Sequence, residues 1–407
     1  MTSDAKQAQI IALFKRAIKS ESRSDRDKTI KLIQSIVEIA NKSKDFKDSF
    51  NAQDVDNILL TGLGFSKLHK ASSDVVEKYV KDNLLTLRKY HFYYPIYYTY
   101  SYPDNFKIGY CVAKQFNSLP ANVKKEFEDF WTREFKDNKG FFSNLDQYLD
   151  NRKHSLFLHV TTESRGYFRC IELAHNLVDR SLEVLRTIYR SDVIAQDYCV
   201  VSDNSDWLGM GGYSHGERDP NHRGAWYYLP GMNEEFNELN EILTHTKTQS
   251  KKIEVAEKLK NAMHLMAAAT SARYNEVKYV LLCSALEAMT LKEQDYLGLR
   301  LSERIAFLTQ KPSKRKKVFD EIYDIYTKRS RIIHQDQKKP MVITDDEIWL
   351  LEGIAYTVFW QLVYLKNKGY QFFDGDENSI LDYLDKLKFA GQKPLLEPWR
   401  KPPKQQS

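Results

Sequence analysis

The sequence predicts an α+β protein in which a mixed N-terminal region with aromatic-rich strands is followed by an all-α helical bundle. Residues 90–112 are dense in aromatic and β-branched side chains, which is typical of strands. After Asn233, apolar residues recur with helical spacing as far as about residue 367. The 407 residues are 42% hydrophobic and 29% charged, which predicts a folded protein with a sizeable core.

Composition divides the chain into four segments. We expect a helical N-terminal region over 1–88, an α+β sensor or regulatory domain over 89–245, a helical bundle over 246–390, and a mobile Pro- and Lys-rich tail over 391–407. A regulatory role for 1–245 is favoured because this part contains no defensible acid–base constellation. The predicted elements are helices over 6–19 and 25–40, strands over 90–102 and 106–112 (a hairpin or two sheet strands), a helix over 119–150, a strand over 155–161, a helix over 166–190, and helices over 234–246, 252–270, 273–291, 301–309, 314–334 and 344–367.

Two stretches admit alternative interpretations. The tyrosines between Tyr90 and Tyr102 could stack nucleic-acid bases, or could form core and sheet surface. The Gly-, Asp- and His-rich stretch 202–224 is predicted to be a loop, and it lacks the Gly-Lys-Ser/Thr ending of a phosphate-binding P-loop. Within it, His215, Asp219 and His222 could bind a metal or simply belong to a polar surface.

Cysteine usage and hydropathy predict a cytoplasmic protein. The four cysteines are far apart and form no Cys-x-x-Cys pair, so we expect reduced, structural thiols. No apolar run is expected to approach the length of a membrane span, and no signal peptide is recognised at the start. We expect no membrane association, no metal and no cofactor.

The net charge of +6 is concentrated in one part of the chain. Residues 251–368 carry 21 Lys and Arg against 15 Asp and Glu, which accounts for the whole excess. Such a balance suits an anionic partner such as RNA. It is equally consistent with a lysine-rich, solvated helical surface.

The predicted helix 314–334 places a charged residue where a core residue is expected. Val318, Ile322, Ile325, Arg329 and Ile332 recur at spacings of four and three, which is one face of a helix. A guanidinium costs several kcal/mol to desolvate unless it is paired, so Arg329 requires either a hydrogen-bonding or charged partner or a functional role. His334 follows near the expected helix end, where the helix dipole favours a cation. Together they make a candidate phosphate site.

The pattern Arg329-x4-His334 is short, and Arg169 with His175 forms a similar pair inside another helix. The surrounding order is more specific. Residues 278–290 (KYVLLCSALEAMT), 301–308 (LSERIAFL) and 325–334 (IYTKRSRIIH) resemble, in this order, the Apea-like branch of the HEPN family. The resemblance covers roughly residues 252–367.

This resemblance implies a bundle that dimerises, with arginine and histidine of both copies lining one cleft. Many such proteins are metal-independent endoribonucleases of prokaryotic antiphage defence or toxin systems, so an antitoxin or a phage-derived trigger is an expected partner. By the resemblance, Arg329 would hold the scissile phosphate of RNA and His334 would transfer a proton. The further candidates for substrate contact are Tyr326, Lys328, Ser330 and Arg331. The alternative is a non-catalytic HEPN scaffold for dimerisation or RNA binding.

Glu287 and Arg304 are candidates for a supporting role. Both interrupt apolar helix faces, so a buried ion pair between adjacent helices is the simple interpretation, with a catalytic role as the alternative. Tyr326, one turn before Arg329, could contact the phosphate or merely pack.

Overall fold

The computed structural model confirms the α+β class. The described residues are 3–19, 26–42, 49, 51–55, 72–97, 99–100, 102–137, 144–193, 195, 197–202, 208–212, 226–227, 232–245, 254–291, 297–334, 342–371 and 379–389. The structure is thus a group of N-terminal helices, an antiparallel sheet with helices on both faces, and a C-terminal helical bundle.

The N-terminal group, within the described residues, includes the amphipathic helices α1 (Ser3–Lys19), α2 (Arg26–Asn41) and α3 (Ser73–Val80), the last continuing as a π-helical turn, Lys81–Leu85. They enclose a small core of their own that contains Ile10, Phe14 and Ile36. This core is separate from the two that flank the sheet.

In the part of the chain that the structure describes, the sheet has six antiparallel strands in the order β3-β4-β5-β1-β6-β7. The strands are β1 (Arg88–Ile96), β3 (Phe106–Ile108), β4 (Cys111–Lys114), β5 (Leu156–Ser164), β6 (Asp197–Ser202) and β7 (Leu208–Gly212), while β2 (Thr99–Tyr100) and β8 (Trp226–Tyr227) form a separate parallel pair. Strand β1 confirms the first strand predicted between Tyr90 and Tyr102 as far as Ile96. The second, predicted over 106–112, is in fact two strands, β3 and β4, joined by a turn, and it does not form a hairpin with β1. Instead β1 lies between β5 and β6, and β3 pairs with β4.

Helices cover both faces of the sheet because side chains alternate along β1. Phe92 and Tyr94 belong to the core shared with α6 (Tyr167–Tyr189). Tyr93 points the other way, into a cluster with Trp131 of α4 (Ala121–Asp137). The predicted helix 119–150 is in fact two, α4 and α5 (Leu145–Lys153).

The tyrosines of the 90–102 stretch pack inside the protein. Those with described side chains are all buried: Tyr90, Tyr93, Tyr94, Tyr97 and Tyr102. The base-stacking interpretation is therefore wrong for these five residues, and the core interpretation is confirmed for them.

The stretch predicted as a loop over 202–224 contains a strand. Leu208–Gly212 pairs antiparallel with β6, so the loop prediction is wrong for these residues. The backbone N–H and C=O groups of β6 can pair with a glycine-rich segment even when its side chains do not alternate between apolar and polar. His215, Asp219 and His222 lie outside the described residues. Within the described ranges, no group of three or more His, Cys, Asp and Glu side chains is placed to hold a metal ion. All four cysteines are buried and free.

The C-terminal bundle confirms the helices expected after Asn233. Its helices are α7 (Asn233–Thr244), α8 (Glu254–Ser271), α9 (Asn275–Thr290), α10 (Leu297–Thr309), α11 (Pro312–His334), α12 (Asp345–Asn367) and α13 (Ile380–Phe389), of which α13 was not expected. Its core is continuous with the core between the sheet and α6. Glu183 of α6 also accepts a 2.8 Å hydrogen bond from His264 of α8.

Helix α12 corrects one expectation about membranes. By length and composition alone it is long and apolar enough to cross a bilayer, although core helices meet the same criterion. In this protein 56% of its apolar window is buried against the rest of the chain. Its first turn is fixed by a capping box between Thr344 and Glu347.

Asp54 joins the N-terminal region to the sheet domain. Its buried carboxylate accepts hydrogen bonds from the backbone N–H groups of Phe168 (2.6 Å) and Arg169 (3.1 Å), in the first turn of α6. Gly166 accommodates this carboxylate, because a Cβ there would lie 2.0 Å from Asp54 Oδ2. Asp54 thus acts as an N-terminal cap supplied from a distant part of the chain.

We expect Asp54→Ala to lower the free energy of unfolding by about 1–3 kcal/mol, because it leaves the first N–H groups of α6 without their acceptor. Urea denaturation followed by circular dichroism measures the change. Glu163→Ala, at an exposed position of β5, is the matched control. If both variants unfold at the same urea concentration, the cap contributes no stability.

Candidate functional site

Helix α11 lies on the outside of the bundle, against α9 and α10. Its core-facing side is the one expected from the sequence, but only Ile322 is fully buried, while Val318, Ile325 and Ile332 are half-buried. The Tyr279 hydroxyl of α9 donates a 3.2 Å hydrogen bond to the backbone carbonyl of Ile325. The C-terminal half of α11 is thereby held against α9.

Arg329 pairs with Glu287 of α9. Its Nη2 lies 3.2 Å from Glu287 Oε2, and the two side chains are only 19% and 20% exposed. The arginine on the apolar face therefore has the partner that its burial requires. This is the charged pair at the centre of the candidate site.

The expected ion pair between Glu287 and Arg304 is wrong. Arg304 instead donates to the backbone carbonyl of Thr290, the last residue of α9. Carbonyl groups at a helix C-terminus lack intrahelical donors and attract cations, which explains this choice. Both charges do interrupt apolar faces, but the helix packing gives each a different partner.

The Arg329–Glu287 pair retains unused hydrogen-bonding capacity. Arg329 Nε and Glu287 Oε1 are buried and have no hydrogen-bond partner. Burial raises the pKa of Glu287, and the guanidinium of Arg329 opposes this rise. An arginine with unused hydrogen-bonding capacity can bind an oxyanion once that oxyanion displaces its carboxylate partner.

Tyr326 packs beside Arg329. The guanidinium carbon of Arg329 lies 5.8 Å from the centre of the Tyr326 ring. On its other side the ring meets α10 so closely that a Cβ on Gly298 would lie 2.8 Å from Tyr326 Cδ1. Burial raises the pKa of the Tyr326 phenol, so it remains a protonated hydrogen-bond donor at neutral pH. Tyr326 therefore packs between α10 and Arg329, and its contact with phosphate stays a prediction.

His334 does not share a face with Arg329. It is exposed at the last position of α11, whereas Arg329 is half-buried. A regular helix turns about 100° per residue, so five residues rotate a side chain by about 140°. Within one chain, α11 therefore directs Arg329 toward the bundle and His334 toward solvent.

The other candidates for substrate contact are placed differently from one another. Lys328 forms an ion pair with Glu347, the carboxylate that also caps α12. Ser330 is half-buried, and Arg331 is exposed. Of these three, Arg331 presents its charge most openly to solvent.

Sequence reasoning missed a set of exposed apolar side chains near the first turns of α9 and α12 and in the last turn of α11. Its members, which we term the apolar end surface, are Tyr274, Val277, Ile333, Val342, Trp349 and Leu350, exposed by 42–74%. The first turns of α9 and α12 are joined because Asn275 donates to the Ile343 carbonyl (3.2 Å) and to Asp345 (2.8 Å). The signal available in the sequence was Trp349–Leu350, which follows the acidic first turn of α12 and lies one turn into it.

Comparison with protein-family models, with curated proteins and with solved structures finds no match to this chain.

Proposed function

We propose that the protein is a HEPN-type, metal-independent endoribonuclease that acts as a homodimer, in the cytoplasm, as an effector of a prokaryotic antiphage or toxin system. The observation that carries the proposal is the half-buried Arg329, whose buried Nε has no hydrogen-bond partner, beside Tyr326 and about one turn before an exposed histidine on a basic helix. The sequence resemblance supplies the reaction class. A phage-derived trigger or an antitoxin would act through residues 1–245.

In the proposed reaction, a phosphate of RNA takes the place of Glu287 as the partner of Arg329. The guanidinium then stabilises the charge that develops on the phosphate oxygens. The ribose 2′-oxygen forms a bond to phosphorus while the bond from phosphorus to the 5′-oxygen breaks. The 2′-hydroxyl loses a proton and the 5′-oxygen gains one, and His334 serves in this transfer because an imidazole can both accept and donate a proton. The products are a 2′,3′-cyclic phosphate and a 5′-hydroxyl.

Two copies are required because the two residues diverge in one chain. A twofold axis at this end of the bundle would bring Arg329 of one copy toward His334 of the second copy. The apolar end surface supports such an interface, since burying exposed apolar side chains favours association. Exposed charges of both signs accompany these side chains, with Arg273 before α9, Arg331 on α11, and Asp345 and Asp346 in the first turn of α12, as a self-complementary contact needs.

Trp349→Glu is expected to convert the dimer to a monomer, because it places a charge at the most exposed aromatic residue of the apolar end surface. Light scattering at micromolar concentration measures the mass, and RNA cleavage is expected to fall with it. Phe389→Glu is the matched control, since Phe389 is equally exposed but lies on α13. A strictly monomeric wild-type protein that still cleaves RNA would refute the dimer.

The second candidate function is a non-catalytic HEPN scaffold that dimerises or binds RNA. It is favoured by the ion pair of Arg329 with Glu287, since an arginine that only stabilises the bundle would be paired in this way. Incubation of the purified full-length protein with total RNA in EDTA separates the two functions. A ribonuclease yields fragments with 2′,3′-cyclic phosphate ends, whereas a scaffold retards intact RNA in a gel.

A further inference from the structure

Helix α11 carries a pair of parallel aromatic rings, the half-buried Phe319 and the exposed Tyr323. Their ring centres are 6.4 Å apart and their planes differ by 3°. Tyr323 is 43% exposed, although it lies in the middle of a 23-residue helix that has an apolar face available against the bundle. Tyr323 therefore presents aromatic surface to an external partner, and the half-buried Phe319 holds a parallel ring beside it.

This aromatic pair lies on the same side of α11 as His334. Eleven residues separate Tyr323 from His334, which is about three helical turns, or about 16 Å along the axis. Thr327 and Arg331 lie between them on the same stripe, and neither is buried. The stripe thus offers aromatic surface, then a hydroxyl, then a cation and an imidazole.

The charge of α11 favours a polyanion on this stripe. The helix contains seven Lys and Arg against three Asp and Glu, a net charge of +4. Lys316 and Arg331 are exposed on either side of the aromatic pair along the helix. Two of the acidic residues, Asp320 and Asp324, are exposed next to the rings. Carboxylates repel phosphates but accept hydrogen bonds from base N–H groups, so bases rather than phosphates suit the position over the rings.

We propose that Phe319 and Tyr323 form a base-stacking subsite for single-stranded RNA, from which the strand runs along α11 toward Arg331 and His334. Bases in a duplex are already stacked on one another, so only unpaired bases can lie against these rings. The subsite rests on the proposed function, because it names the form of RNA that this site takes. It makes unpaired regions the substrate and excludes uninterrupted double helices.

The test is the dissociation constant for a labelled oligonucleotide, measured by fluorescence anisotropy on full-length protein in a His334→Ala background, so that no cleavage interferes. Tyr323→Ala is expected to weaken binding of single-stranded RNA about 10-fold, the usual effect of losing one stacked base. Tyr323→Trp is expected to retain binding, because the stacking surface remains. Phe389→Ala, at an exposed phenylalanine beside Lys388 on α13, is expected to bind like the parent.

Salt dependence separates stacking from a general loss of charge. Tyr323→Ala is expected to leave the slope of log Kd against log salt unchanged, whereas Arg331→Ala is expected to reduce it by about one.

A duplex of the same sequence is expected to bind the parent more weakly and to be insensitive to Tyr323→Ala. The subsite is overturned if Tyr323→Ala binds single strands as tightly as the parent, or if duplex and single strand bind alike. If the subsite is overturned in this way but the wild type still cleaves RNA, the ribonuclease assignment stands without the subsite. If the parent protein binds no RNA, both the ribonuclease assignment and the subsite are refuted.

Discussion

Arg329→Ala and His334→Ala are each expected to reduce RNA cleavage by at least about 100-fold, the low end of what a positioned acid–base group contributes. The arginine variant loses the donor that stabilises the phosphate, and the histidine variant loses the proton carrier. Arg169→Ala is the control, because Arg169 belongs to the similar Arg and His pair in α6, where it forms an ion pair with Glu172. Its cleavage rate is expected to equal that of the wild type. Any toxicity or phage protection is expected to follow cleavage.

Mixing the two inactive variants tests whether the site is shared between copies. In a mixed dimer, Arg329 of the His334→Ala copy meets His334 of the Arg329→Ala copy, so one complete site forms. Random exchange makes about half of the dimers mixed, each with one of two sites intact, so about a quarter of wild-type activity is expected. If subunits exchange and the mixture stays inactive, the arginine and histidine do not act across the twofold axis.

Arg329→Ala is also expected to lower the free energy of unfolding by about 1–3 kcal/mol, because it leaves the half-buried Glu287 without its partner. An arginine in a fully solvated cleft would give the opposite result, since its removal would relieve charge repulsion. A double-mutant cycle with Glu287→Gln isolates the interaction between the two side chains. The double variant is expected to be more stable than the sum of the single losses. Additive losses would mean that the pair contributes nothing.

The stability loss in Arg329→Ala is expected to depend on pH. Burial raises the pKa of Glu287, and without Arg329 it rises further, so the folded variant binds a proton more tightly than the unfolded chain does. Protonation of Glu287 therefore stabilises the folded variant. This stabilisation is fully present below the pKa of glutamate in the unfolded chain, about 4.3, and is lost as the pH rises through the pKa of Glu287 in the folded variant. The difference in melting temperature between variant and wild type therefore shrinks on acidification toward pH 4. A difference that grows on acidification would contradict this assignment.

The local elements of the candidate site were predictable from sequence. The apolar spacing in 314–334 indicates a helix, because this spacing does not depend on which elements the helix packs against. The observed helix α11 spans Pro312–His334. The same reasoning found an arginine on the apolar face and its need for a partner. Burial of the described tyrosines between Tyr90 and Tyr102 likewise follows from aromatic strand composition.

Partner choice was not predictable, because it depends on how helices pack in three dimensions. Glu287 could equally have met Arg304 by its position on α9, and only the approach of α11 assigns it to Arg329. The divergence of Arg329 and His334 depends on α11 continuing as a regular helix to its last described residue. Strand β7 escaped notice because its Leu-Gly-Met-Gly-Gly sequence has little strand propensity and is ordered by pairing with β6.

The most direct test of the proposed reaction is cleavage of a single-stranded RNA in EDTA by the full-length protein, compared with the same RNA carrying one 2′-deoxynucleotide at the mapped cleavage position. Attack by the 2′-hydroxyl predicts that the all-ribose strand is cut to a 2′,3′-cyclic phosphate and that the substituted strand stays intact at that position. Equal cutting of both strands would contradict the reaction. RNA that is bound but not cleaved would contradict any ribonuclease activity and would favour the non-catalytic scaffold.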